Sequence, residues 1–163
     1  MLNSNDTSML KVLIVYYSRT GNTEAMARAV AEGAKGEGLE AEVKRVDYTT
    51  THDLMSADAF VFGSPCYFGY MAGILKDFFD RNLHSAVLKK LEGKPAAAFV
   101  SDGETDGGKD ALLSIERIMA YFLLEKVADG VVNQGKPGKT KIEECKKLGM
   151  ALARAAKKKK LKG

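Results

Sequence analysis

The chain has 163 residues, 45% of them hydrophobic and 28% charged, and carries 25 Lys and Arg against 21 Asp and Glu. That is room for one domain with a real core, and it excludes wholesale disorder. No apolar run approaches the ~20 residues that span a bilayer, which argues against an integral membrane protein.

In chain order, strands and helices alternate. KVLIVYY (11–17) is continuously apolar and branched, as a strand buried on both faces should be. A polar stretch, 18–23, leads into a helical pattern over 24–35 with Ala25, Met26, Ala29 and Val30 on one side. Residues 40–46 alternate as a second strand, and 49–56 is a short connection with one helical turn. ADAFVFG (57–63) is a third, buried strand, followed by a loop over 64–69 and a helix over 72–82. Residues 95–101 form a fourth buried strand, 102–108 a Gly- and Asp-rich loop, and 109–123 a helix. A fifth strand over 126–133 and a final helix over 140–159 complete the chain. There is no internal repeat and no interdomain linker, so a single domain is expected over 11–163 after a flexible segment 1–10.

Five strands alternating with helices predict a parallel sheet covered on both faces, of order 2-1-3-4-5. The ligand of such a sheet sits beyond the carboxyl ends of its strands, at the switch point between strands 1 and 3. The loops after strands 1, 3 and 4 are therefore the ones that matter.

Charge and cysteine content narrow the partners. Residues 136–163 hold ten Lys, one Arg and two Glu, a net +9, whereas residues 1–135 carry −5. The basic character belongs to the lysine-rich end of the last helix, AAKKKKLKG, where cations suit the helix C-terminus. No aromatic residue is interleaved there for base stacking, so no nucleic-acid partner is expected. Cys66 and Cys145 form no C-x-x-C pair, and His52 and His84 match no metal-ligand spacing, so no metal site is expected. The N-terminus lacks a basic region followed by an apolar one, so no signal peptide is read and a cytoplasmic protein is expected.

The loop after strand 1 has the chemistry of a phosphate cradle. Ser18, Thr20 and Thr23 offer hydroxyls, Asn22 an amide, and Gly21 lets backbone approach closely. The unpaired first amides of the following helix add donors and a partial positive charge. Capping alone needs one such residue; here five converge. G-x-x-x-x-G-K-[ST] and G-x-G-x-x-G are both absent after this strand, which disfavours a P-loop nucleotidase and a dinucleotide site. The expected ligand is a mononucleotide whose phosphate is held mostly by neutral donors.

Three segments now carry a resemblance. YYSRTGNTEAMA (16–27) resembles the phosphate loop of the flavodoxin superfamily, and GSPCYFGYMAGILKDFFDR (63–81) its second flavin loop. GKPAAAFVSDGETDGGKDALL (93–113) is similar to the third loop of the superfamily's NAD(P)H:quinone oxidoreductase branch. The resemblance covers 11 to about 133 and implies a flavodoxin-like three-layer sandwich binding FMN. Carried over by position, Ser18, Arg19, Thr20, Gly21, Asn22 and Thr23 would hold the phosphate. Pro65, Cys66, Tyr67, Phe68 and Gly69 would line the isoalloxazine ring, and Ser101, Asp102, Gly103, Gly107 and Gly108 would close its other side. Tyr67 and Phe68 supply an apolar wall, while Met71 is read as packing and Cys66 as a small side chain near the ring.

Departures from the family pattern set the alternatives. The third loop holds no aromatic residue and the chain no Trp, so one ring face is open to nicotinamide, quinone or a second subunit of a homodimer. Asp102, Glu104 and Asp106 form an acidic turn near the ring or simply a solvated one. The long insertion after the fourth helix and the third-loop His of the quinone-reductase branch are both missing. The first reading is an FMN protein that passes electrons to a redox partner. The second is an NAD(P)H-dependent quinone or flavin reductase working by hydride transfer to flavin N5. The third is a non-redox module binding another phosphate ligand.

Overall fold

The continuous apolar runs become strands buried on both faces, and their side chains alternate between two cores. Leu13, Val15, Phe60 and Phe62 point into one; Val12, Ile14, Val61 and Phe99 point into the other. A computed structural model describes residues 8–103 and 106–163. Most of the expected flexible N-terminal segment, and Glu104 of the expected acidic turn, lie outside the described residues.

The order of elements is β1 (Lys11–Tyr16), α1 (Asn22–Gly36), β2 (Glu40–Arg45), a short 3-10 turn (Val46–Tyr48), α2 (Thr51–Ser56), β3 (Ala59–Tyr67), β4 (Tyr70–Met71), α3 (Gly73–Arg81), α4 (Ser85–Leu91), β5 (Pro95–Asp102), α5 (Gly108–Tyr121), β6 (Glu125–Lys126), β7 (Val131–Gln134) and α6 (Lys139–Lys162). The sheet runs β2-β1-β3-β5-β6, all parallel, with β7 also paired to β5. α1 and α6 cover one face; α3, α4 and α5 cover the other. This is the expected three-layer α/β architecture, with the switch point between β1 and β3.

Among the described residues the sheet has seven strands rather than five. The single fifth strand expected over 126–133 is two short ones, because the chain leaves the ladder around Asp129 and Gly130. There, a Cβ on Gly130 would sit 2.5 Å from Leu112 Cδ1 and 2.8 Å from Ala98 O. The seventh strand is β4, which folds back antiparallel on β3. The short helix α4, which the sequence pattern does not predict, buries Val87 and Leu91. Cys145 and Met71 both lie in the core, as packing residues should. No described helix is long and apolar enough to cross a membrane.

Candidate functional site

The loop between β1 and α1 is closed from within. Gly21 N donates to Ser18 Oγ at 3.1 Å, which folds the loop back on itself. Gly21 then takes a left-handed φ of 98°, a conformation that favours glycine, and stands as the N-cap of α1 with no side chain to cap the helix. The first-turn amides of α1 are thereby left for a ligand. At the loop's two ends, Tyr16 Oη donates to Glu24 Oε1 at 2.7 Å. Burial raises the Tyr16 phenol above its usual value, and the hydrogen bond from Tyr16 holds the Glu24 carboxyl below its own.

The segment after β3 departs from the expected loop over 64–69. The strand continues through Tyr67, and Phe68 and Gly69, at φ 55° and 71°, turn the chain into β4. Cys66 pairs with Met71 and Tyr67 with Tyr70 in that small hairpin. Buried Ser64 and Ser114 pin it from below: Ala72 N donates to Ser64 Oγ at 2.8 Å, and Met71 N to Ser114 Oγ at 3.1 Å. Phe68 stands at the tip, fully exposed. The Tyr67 hydroxyl is buried yet has no hydrogen-bond partner among the described residues.

The loop after β5 is organised by Asp102. Its carboxylate accepts from Gly108 N at 2.9 Å, so it caps the start of α5. The backbone of Asp102 also accepts from Gly135 N at 2.9 Å, tying the loop to the end of β7. The second and third loops touch. A Cβ on Gly107 would lie 3.0 Å from Gly69 Cα and 3.1 Å from Cys66 Sγ.

These loops enclose a cavity of about 200 Å³ lined by Arg19, Thr20, Asn22, Thr23, Pro65, Cys66, Tyr67, Ser101, Asp102 and Gly103. An adjoining depression of about 430 Å³ is lined by Cys66, Tyr67, Phe68, Gly69 and Gly107. Three other residues singled out from sequence, Ser18, Gly21 and Gly108, line neither. Ser18 and Gly108 are buried and shape the loops, and Gly21 makes the turn. Sequence reasoning missed Arg45, which donates to Ser18 O at 2.8 Å, and the serines under the hairpin. The signal for Arg45 was its place at the carboxyl end of the strand beside β1.

The donor set fits a flavin mononucleotide. Uncapped amides and hydroxyls gather at one end, and an unpartnered phenol beside an open, aromatic-rimmed depression lies at the other.

Comparison with known proteins agrees. A family model described as Flavodoxin matches residues 14–149. The chain is 39% identical over 160 residues to a flavodoxin of Aquifex aeolicus, covering 89% of this chain and 86% of that one. It is 33% identical over 154 residues to an NAD(P)H dehydrogenase (quinone) of Archaeoglobus fulgidus, covering 79% and 78%. The solved structure of a flavodoxin from the domain Archaea superposes with a TM-score of 0.81 at 28% identity, covering 91% of this chain and 99% of that one. The chain belongs to the flavodoxin family, whose cofactor is FMN.

Proposed function

We propose that this protein carries electrons on an FMN held at the carboxyl ends of β1, β3 and β5. The observation that supports this most is the meeting of all three loops at one cavity, with phosphate chemistry at its α1 end and an aromatic hairpin at the other. Thr20, Asn22, Thr23 and the first amides of α1 would hold the phosphate. The hairpin 65–69 and the segment 101–103 would flank the ring. Bound FMN supplies reversible uptake of one or two electrons.

The protein's own groups do the rest. Ser18 holds the Gly21 turn, so the cradle is formed before the ligand arrives. Ser64 and Ser114 fix the hairpin backbone, and Asp102 fixes the third loop. Phe68 presents an exposed apolar rim where a redox partner would meet the cofactor.

A specific observation favours a second reading, that of an NAD(P)H-dependent quinone reductase. No aromatic residue lies in 101–108 to cover one side of the ring, and a relative at 33% identity bears that enzyme's name. The two readings part in an anaerobic visible spectrum of the FMN-loaded protein. The carrier leaves its flavin band unchanged on addition of NADH or NADPH and is reduced by dithionite in two resolved one-electron steps. Rapid bleaching by either nicotinamide would replace the carrier with the reductase.

A further inference from the structure

We propose that Arg45 is a positioning residue of the phosphate loop, setting the Ser18–Arg19 peptide so that the Arg19 amide faces away from β2 and toward the ligand. The proposal rests on the reading of 18–23 as the phosphate cradle.

Arg45 is the last residue of β2, the outer neighbour of β1, and its Nη1 donates to Ser18 O at 2.8 Å. Two other groups fix the same guanidinium. Asp47 pairs with Nε at 3.0 Å, and the Tyr17 ring centroid lies 5.1 Å from Cζ. Three contacts on one planar fork leave it little freedom.

The consequence for the loop follows from peptide geometry. The Ser18–Arg19 bond is trans, so the Ser18 carbonyl and the Arg19 amide point in opposite directions. Drawing the carbonyl out to Arg45 turns the amide the other way, and Arg19 lines the cavity. With the peptide flipped, a carbonyl oxygen would meet the phosphate instead of a donor. Asp47 balances the charge of Arg45 within the pair, so the effect is one of orientation rather than long-range attraction.

The test compares FMN with riboflavin, which lacks the phosphate. Dissociation constants for apoprotein are read from quenching of flavin fluorescence, at low and high salt. Arg45→Gln is expected to weaken FMN binding roughly tenfold and to leave riboflavin unchanged. The defect should persist in high salt, since salt screens exposed charge but not a fixed hydrogen bond. Arg45→Lys, which keeps a charged donor group and loses the fork, should fall between wild type and Arg45→Gln. It carries the test alone if Arg45→Gln does not fold. Equal loss for both flavins would overturn the proposal, as would a defect abolished by salt or wild-type selectivity in Arg45→Lys. Gly21→Asp, measured alongside, separates the two levels. If it loses FMN selectively while the Arg45 variants do not, the cradle stands and the positioning role falls. If it too spares FMN, the cradle reading falls and takes the proposal with it.

Discussion

Phe99 lays its ring over the bare backbone of Gly63, its partner across β3 and β5. The two residues face each other in the parallel register. A Cβ on Gly63 would meet Phe99 Cζ at 2.0 Å. The glycine is therefore a packing requirement two residues before Pro65, at the mouth of the site. Gly63→Ala should destabilise the protein by roughly 1–3 kcal/mol through overpacking. Phe99→Leu alone should also cost stability, but in the double variant the two losses should not add. Urea unfolding of the four proteins measures the coupling, and strictly additive losses would show that the ring yields without strain.

The Tyr16–Glu24 bond straps the β1–α1 loop at its two ends, and its strength has a pH signature. Glu24 is held below its usual value of 4.5, first by the Tyr16 hydrogen bond, so its contribution is present above that pH and lost as pH falls. Tyr16 is raised above 10.0, first by burial, so its contribution is present below that pH and lost as pH rises. Tyr16→Phe should cost about 1 kcal/mol or less near neutrality, because the Glu24 side chain is substantially exposed. The gap between variant and wild type should narrow at both pH extremes. Chemical denaturation across pH reads this directly, and a pH-independent gap would point to packing alone.

Much of this architecture was legible because burial on both faces leaves so plain a mark. β1, β3 and β5 read as strands from continuous branched runs, and the polar loop after β1 stood out against them. The hairpin after β3 did not, because its turn places Phe68 at a positive φ, and an aromatic residue is no turn signal. α4 escaped for a different reason. It has seven residues and two buried side chains, too few for a periodic pattern. The interruption between β6 and β7 depends on Leu112 and Ala98 lying close to Gly130, a tertiary fact. Arg45 belongs to the same class. Its role depends on a strand pairing that brings residues 27 apart in sequence into contact.

Cys145 offers a second pH test, away from the site. The thiol is buried in the core between α1, α6 and the sheet, and burial pushes it up from 9.0 to about 12, with the Glu144 charge adding to the effect. The unfolded chain loses this proton first as pH rises. The stabilisation is thus complete below 9.0 and is lost progressively as pH climbs toward 12. Between pH 9.0 and about 12 wild type should lose stability more steeply than Cys145→Ala, whose own defect at neutrality, about 1 kcal/mol, comes from the small void left behind. In the native protein at neutral pH the thiol should resist alkylation, and it should react once the chain is unfolded. Native labelling of Cys145, followed by peptide mapping, would show that α6 opens far more readily than its packing implies.

Gly21→Asp separates two properties of the proposed cradle, its shape and its charge. Gly21 sits at φ 98°, and among the described residues nothing beyond its chain neighbours lies within 4 Å of a Cβ built there, so the cost of a side chain is backbone strain rather than collision. Asp tolerates that region better than most residues, and at an N-cap its carboxylate can accept the free amides of α1. The strain and the new cap offset each other to within about 1 kcal/mol, so the apoprotein should melt close to wild type. The same carboxylate would occupy the donors proposed for the phosphate and add a negative charge beside it. FMN affinity should therefore fall by at least roughly a hundredfold, while riboflavin, with no phosphate to repel, should bind as before. Fluorescence titration of both flavins against one apoprotein preparation gives the result in a single ratio. An unchanged ratio would move the phosphate away from the start of α1.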